Sequence, residues 1–261
     1  MKPTARMTRR SVGALLGALT AGAACGVARA QTPPRRYATM SLIGDALTAV
    51  QRQEVTGTRM DQNIRTEIKV NGDILDRAAL GVLNGLIAEN DPTAKPTALL
   101  IDEPVLYAKQ EDLFDGKFVR LPKAIAEAAK AGGATHMLLL TKRRTALSFK
   151  FLSGSAGQGS ASGLGLYIDP HKRMQLVSTK EETEGFLGLY VHLRATVVDL
   201  ASEAIVADTP VTLTEMYINV VSTGGGALPW DALPAAEKIR ILSDLLTQSL
   251  RDKVPPLLTA S

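Results

Sequence analysis

The sequence predicts an α+β fold: a single mixed β-sheet with a long hairpin in its C-terminal half, helices packed on it and a closing C-terminal helix. Three observations carry that prediction. Leu75, Ala79, Leu83 and Leu86 recur at helical spacing in the first half. Two strand-like segments, Leu189 to Leu200 and Ala204 to Met216, are separated only by Ala201-Ser202-Glu203, which suits a turn. A last apolar stripe, Ile239, Leu242, Leu246 and Leu250, lies near the end of the chain. Helices among the early strands and a hairpin late in the chain describe one sheet with helices packed against it.

Each element has a local reason. Met40, Leu42 and Ile43 start a strand that Gly44-Asp45 interrupts. Ile64, Thr66, Ile68 and Val70 alternate with Arg65, Glu67 and Lys69, which is the period of a half-buried strand, closed by the turn signal Asn71-Gly72. Asp73 is placed to cap the next helix, its carboxylate accepting unpaired backbone N–H groups. That helix ends at Asn90-Asp91-Pro92, and Thr97 to Ile101 is a short buried strand. A further helix starts near Pro122, runs through Ile125, Ala128 and Ala129, and stops at Gly132-Gly133. Thr135 to Phe151 is the longest strand candidate, and Leu164 to Ile168 resumes the sheet. Between them Ser153 to Gly163 is rich in Gly and Ser, a composition expected of a mobile loop that buries nothing. Asp231 and Pro234 open the closing helix, and Pro255-Pro256 stops it.

Residues 1–30 have the composition of a secretory signal peptide. Arg6, Arg9 and Arg10 precede an uncharged run from Ser11 to Ala28, and Ala28-Arg29-Ala30 offers a small-x-small cleavage site before Gln31. Thr8-Arg9-Arg10-Ser11 resembles the opening of a twin-arginine signal, and the general secretory route is the alternative. Gly22-Ala23-Ala24-Cys25 resembles a lipoprotein box, so Cys25 is a candidate lipidation site in competition with cleavage between Ala30 and Gln31. These features predict an exported protein that is periplasmic, either free or anchored through a lipid. Residues 31–36, with Pro33-Pro34-Arg35-Arg36, read as an extended tether, and residues 37–258 as one domain.

Composition narrows the function classes. Five of the 30 Lys and Arg residues (Lys2, Arg6, Arg9, Arg10 and Arg29) and none of the 26 Asp and Glu residues fall in the leader. The mature chain therefore holds 25 basic and 26 acidic residues, so it has no global attraction for nucleic acid or an anionic membrane. Aromatic residues make up 4% of the chain, too few for a base- or sugar-stacking platform. Cys25 is the single cysteine, which excludes internal disulfides, thiolate metal sites and cysteine nucleophiles from the mature fold. Contact with membrane is expected only through a lipid on Cys25.

Motifs for specific chemistry are weak. The Gly-rich segment runs into a strand, not a helix, so it lacks the helix N-terminus of a phosphate cradle, and no Gly-Lys-Ser/Thr follows. His136, His171 and His192 share no ligand spacing. Glu181-Glu182-Thr183-Glu184 lacks the oxygen pattern of a calcium loop and reads as a solvated turn. No cofactor or metal is implied. Ser153, Ser155, Ser160 and Ser162 lack a nucleophile elbow. Trp230 suits a helix-entry staple. Lys142, Arg143, Arg144, Lys150, Lys172 and Arg173 are the one basic concentration, a candidate partner-binding patch or a charged sheet edge that resists aggregation.

Two stretches carry a resemblance. Ala131 to Leu140 (AGGATHMLLL) and Leu193 to Leu200 (LRATVVDL) followed by Ile205 to Asp208 resemble a group of bacterial envelope proteins. That group comprises the curli secretion lipoprotein, the lipoprotein activators of penicillin-binding proteins and the N-terminal domain of the Tol periplasmic protein. The resemblance implies an α+β domain with a closing helix that binds or assembles, with another envelope protein as its partner. The alternatives are an exported hydrolase with a site assembled in space from Asp169, His171 and a loop serine, and a periplasmic carrier of a small ligand.

Overall fold

The computed structural model describes residues 35–53, 61–70, 72–151, 154–175, 182–218 and 235–259. Cys25, Ala30, Gln31, Asn71, Ser153, Glu181, Gly224 to Gly226, Trp230, Asp231 and Pro234 lie outside them.

The chain opens with strands β1 (Tyr37–Ser41), β2 (Ala46–Gln51) and β3 (Ile64–Lys69). Helix α1 (Ile74–Asn90), strand β4 (Thr97–Leu99), the short helix α2 (Pro104–Ala108) and a 3-10 turn (Gln110–Leu113) follow. A small hairpin, β5 (Phe114–Asp115) and β6 (Phe118–Val119), leads to α3 (Lys123–Ala131) and β7 (His136–Lys142). Four short strands come next: β8 (Thr145–Ala146), β9 (Phe149–Phe151), β10 (Gly154–Ala156) and β11 (Ser160–Ala161). The long strands β12 (Gly163–Gln175), β13 (Glu182–Asp199) and β14 (Ile205–Ile218) precede α4 (Ala235–Lys253) and α5 (Pro255–Thr259).

These strands make one mixed sheet in the order β3-β2-β12-β13-β7-β1-β4, with β14 on the other edge of β13. The predicted hairpin is its spine. Asp199 closes the turn, its Oδ1 accepting from the N–H groups of Ala201 and Ser202, and Glu203 takes a left-handed φ of 58°. The opposite edge of β13 is shared. Glu182 to His192 pair with β12, and Leu193 to Asp199 pair with β7. Strands β7 and β12 are thus collinear: the chain leaves the sheet after Lys142 and returns at Gly163 opposite the adjacent residue of β13. The next line repeats the pattern, with β1 pairing parallel to β7 and β2 parallel to β12. The sheet therefore breaks once across its middle, at residues 42–45 in one line and 143–162 in the other.

One face carries a continuous apolar core. Leu187, Leu189, Val191, Leu193, Ala195 and Val197 alternate along β13 and meet Leu75, Ala79 and Leu83 of α1 and Leu242, Leu246 and Leu250 of α4. Each such aliphatic side chain contributes about 1.5–3 kcal/mol when fully buried. The other face is covered in two pieces. Leu106, Leu113, Val119, Ile125 and Ala129 cover the β4-β1-β7 arm. The excursion 143–162 covers the β2-β12-β13 arm, with Phe149 packed on Tyr167 and Phe186 at ring distances of 5.3 and 5.5 Å.

Several expectations are corrected. The Gly/Ser-rich segment 153–163 does not stand free: Gly154–Ala156 pair with β9, Ser160–Ala161 pair with β8, and Ala156 and Ala161 are buried. Its glycines reduce bulk where a layer of aromatic rings must settle. The long strand expected over Thr135 to Phe151 ends at Lys142, because the excursion begins there. Asp169 to Arg173 form a bulge within β12, and Glu182 to Glu184 begin β13 instead of forming a solvated turn. Asp73 makes no capping bond; its Oδ1 accepts from Arg77 Nε at 2.7 Å. Strand β3 is mostly exposed because it is the edge of its arm.

Gly188 marks where the excursion docks, since a Cβ there would lie 2.2 Å from the Phe149 ring. Gly188→Ala is expected to destabilise by about 1–3 kcal/mol through overpacking. Gly81→Ala, in open space on α1, is expected to stabilise by about 0.5–1 kcal/mol. Urea unfolding of both variants checks the pair; equal effects would refute the docking contact.

Candidate functional site: the strand-end crevice

Parallel strands β4, β1 and β7 point their C-terminal ends at one rim. The connection from β1 to β4 passes through α1 on one face of the sheet, and that from β4 to β7 passes through α3 on the other. Such a reversal opens a crevice outside the strand ends, where sheets of this kind bind ligands. Here the crevice is filled. Asp76, on the buried face of α1, reaches over the end of β1. Its Oδ1 accepts from Ser41 Oγ at 2.5 Å and from the Ile43 N–H at 2.9 Å. Its Oδ2 accepts from the Gly44 N–H at 3.1 Å and stands 3.1 Å from the Tyr107 hydroxyl, which is also 3.0 Å from the Ile101 carbonyl.

Gly44 turns the chain with φ of 81°, a conformation that favours glycine. A Cβ there would stand 3.2 Å from the Tyr107 ring and 3.8 Å from Lys142 Nζ, so Tyr107 and Lys142 close over the turn. Burial, followed by the nearby Asp76, Asp73 and Asp102 carboxylates, raises the Tyr107 pKa well above its ordinary value and keeps the phenol protonated. Gln110 completes the plug: its Oε1 accepts the Lys142 N–H at 2.8 Å and its Nε2 donates to the Tyr107 carbonyl at 2.9 Å.

His192 stands where the two arms part. Its carbonyl accepts from the Arg143 N–H, and its Nδ1 lies 3.1 Å from the Ala161 carbonyl, so it holds both roots of the excursion. Burial lowers its pKa, opposed by the bond to Ala161. His136 is likewise held low by burial and Arg35, opposed by Asp199 at 3.8 Å.

The candidate basic patch divides into two groups. The Lys142 stem lies beside Gly163, at the start of β12, and Arg143 is exposed nearby. Arg144 Nε donates to Ser160 Oγ at 2.7 Å. Lys150 is exposed on β9, Lys172 Nζ sits 5.8 Å from the Phe151 ring centre, and Arg173 pairs across the ladder with Glu184. At about 3.3 Å per residue, the regular steps of β12 from Gly163 to Asp169 alone separate the two groups by roughly 20 Å.

Of the hydrolase candidates, Asp169 is otherwise engaged. Asp169 Oδ2 accepts from Arg52 at 2.8 Å, and its Oδ1 accepts the N–H groups of His171 and Lys172 at 3.2 and 3.1 Å. The His171 side chain is exposed. Among the described residues, no group of three or more His, Cys, Asp or Glu side chains is arranged to hold a metal ion. No described helix is long and apolar enough to cross a membrane.

Sequence reasoning missed Asp76, Tyr107 and Gln110. One signal was legible: Asp76 falls three residues before Ala79 and seven before Leu83, so a carboxylate sits on the apolar stripe of its helix.

No protein-family model matches the sequence, and no curated protein matches it. A solved structure of a neuraminyllactose-binding hemagglutinin homolog from Helicobacter pylori is similar over 87% of this chain and 88% of that one, at 8% identity and a TM-score of 0.38. That likeness is too slight to bear on function.

Two outcomes test the crevice. Asp76→Ala leaves buried donors unpaired and is expected to cost about 3 kcal/mol or more, against about 1 kcal/mol for Tyr107→Phe; urea midpoints check the ratio. His192 sets an acid dependence. Its pKa is lower folded than unfolded, so its contribution to stability is complete above pH ~6.5 and falls as pH drops below that value, by at most about 1.4 kcal/mol per pH unit. Unfolding series between pH 7.5 and 5 are expected to show a shallower loss in His192→Gln than in the wild type.

Proposed function

We propose that the protein is an exported bacterial envelope protein that acts by binding or assembly and not by catalysis. One observation carries this reading. The crevice where a doubly wound arm would bind and transform a small ligand is plugged by Asp76, Tyr107 and Gln110, while large apolar side chains of the flanking segments stay exposed to solvent. Ile74, Leu100 and Val105 are 40, 47 and 65% exposed, three of the six exposed large hydrophobic side chains among the described residues. A filled crevice beside exposed apolar side chains suits contact between surfaces better than capture of a substrate.

The leader composition supports export, through Arg9-Arg10 and the apolar run to Ala28. The resemblance in element order to envelope assembly proteins points the same way, with another envelope protein as partner. The mature form starts at Gln31, free in the periplasm, or at a lipidated Cys25.

Two measurements test this. Intact mass of the mature protein is expected to show a start at Gln31 or a lipid-modified Cys25; retention of residues 1–30 would remove the export reading. Crosslinking the native protein in its envelope is expected to recover a protein partner. Recovery of none, together with tight small-molecule binding, would overturn the assembly reading.

A further inference from the structure

Strand β14 is the longest edge of the sheet, and among the described residues it pairs with β13 and with no other strand. Its first residue is taken by the β5–β6 hairpin, where the Ile205 N–H donates to the Lys117 carbonyl. Which later groups point outward follows from β13. The His192 carbonyl accepts from Arg143, so the His192 backbone faces the β7–β12 side. Direction alternates along a strand, so Leu193 faces β14 and bonds its partner in register, Val211. Thr212, opposite His192, then turns its N–H and C=O away from β13, and so do Thr214 and Met216. Pro210 lies on the same alternation. Its missing N–H falls on the outside, where it costs the β13–β14 ladder nothing.

The two faces beside this edge are already covered. Val211 and Leu213 pack into the core with α4. On the other face Met216 packs against the aromatic cluster of the excursion, and Thr214 Oγ1 donates to the Ser148 carbonyl at 3.3 Å. What is left is the row of backbone groups, and its natural complement is an extended chain. The other edges are blunted. Strand β3 carries Arg65, Glu67 and Lys69, and β4 is three residues long. From Val211 to Tyr217, β14 holds a single charge, Glu215, and Tyr217 is 38% exposed.

We propose that two copies of this chain pair edge to edge through β14, antiparallel about a two-fold axis at Thr214. Such an isologous contact uses the same surface on both copies. The residues select the register. Outward groups must meet outward groups, so the axis falls on a residue and not between two. An axis at Glu215 would set that carboxylate opposite itself, a repulsive pair. An axis at Leu213 would place Pro210 opposite Met216, inside the ladder. The axis at Thr214 sets Glu215 opposite Leu213 and the exposed Tyr217 opposite Val211. It pairs Thr212 with Met216 and Thr214 with its own copy, for about six backbone hydrogen bonds, and Pro210 ends the ladder. The inference adds self-association to the binding reading above and depends on no envelope partner.

Sedimentation of the exported chain is expected to show a dimer that dissociates on dilution. Thr214→Pro removes one outward N–H from each copy, as Pro210 does, and keeps the ladder to β13. Its dimer is expected to be at least about tenfold weaker, with thermal unfolding of the monomer unaltered. With Cys25 removed or lipidated, Thr214→Cys is expected to form a disulfide between copies under mild oxidation, because directly paired residues stand about 5.5 Å apart. Thr212→Cys, offset from its own copy by four residues, is expected to form none. A wild type that stays monomeric at every concentration, a dimer that Thr214→Pro leaves intact, or linkage through Thr212→Cys as strong as through Thr214→Cys would overturn the pairing. If Thr214→Pro does not fold, the two cysteine variants decide alone. A monomer that still recovers another protein by crosslinking would remove the self-pairing and keep the binding reading; a dimer that recovers no other protein would do the reverse for the envelope partner.

Discussion

The Asp76 carboxylate is the interaction on which the rest of the architecture depends. A sheet that breaks across its middle leaves backbone groups without ladder partners, and a buried N–H without an acceptor costs a kilocalorie or more. At the β1–β2 break, Ile43 and Gly44 face that cost, and both N–H groups are taken by Asp76. At the β7–β12 break, the Lys142 and Arg143 N–H groups go to Gln110 Oε1 and the His192 carbonyl. Helix α1 is therefore fixed to the sheet by more than its apolar stripe. Its first turn supplies the acceptor that lets the chain turn at Gly44.

The break also explains the unequal treatment of the two faces. One face keeps a continuous core across the break, because Leu193 and Ala195 on β7's side follow Val191 and Leu189 on β12's side along a single strand. Across from it, the covers come from different parts of the chain and leave a polar seam between them. Arg194 lies in that seam, bidentate to Asp208 at 2.7 and 2.9 Å and 4.0 Å from the Phe114 ring centre. Thr196 adds a bond to the same carboxylate at 3.2 Å. The guanidinium is satisfied on its edges by Asp208 and on its face by the aromatic ring, so a cation can occupy the junction of two apolar clusters.

Much of the fold was legible because it depends on periodicity. The stripe Leu75, Ala79, Leu83 and Leu86, the hairpin around Ala201-Ser202-Glu203, and the Gly132-Gly133 stop all state local preferences that packing preserves. Gly133 adopts φ of 79° as a helix-ending glycine should. What escaped was non-local. Nothing near Lys142 in sequence announces that the strand leaves the sheet and resumes at Gly163. Glycines read as looseness were instead clearance: at Gly157 a Cβ would meet the Leu147 carbonyl at 2.4 Å and the Phe149 ring at 3.3 Å. Likewise nothing in the sequence near His192 announces that the excursion covers it.

The same reasoning bears on the site. A reactive crevice needs polar groups left partly unsatisfied, because a reacting atom must find donors and acceptors free to meet it. Asp76 has a donor for each of its hydrogen-bonding directions, and Tyr107 is kept protonated by burial and by surrounding carboxylates. Loosening that cluster to admit a ligand would orphan the turn at Gly44 and, through Gln110 and Lys142, the root of the excursion. The strand ends are thus spent on holding the break together.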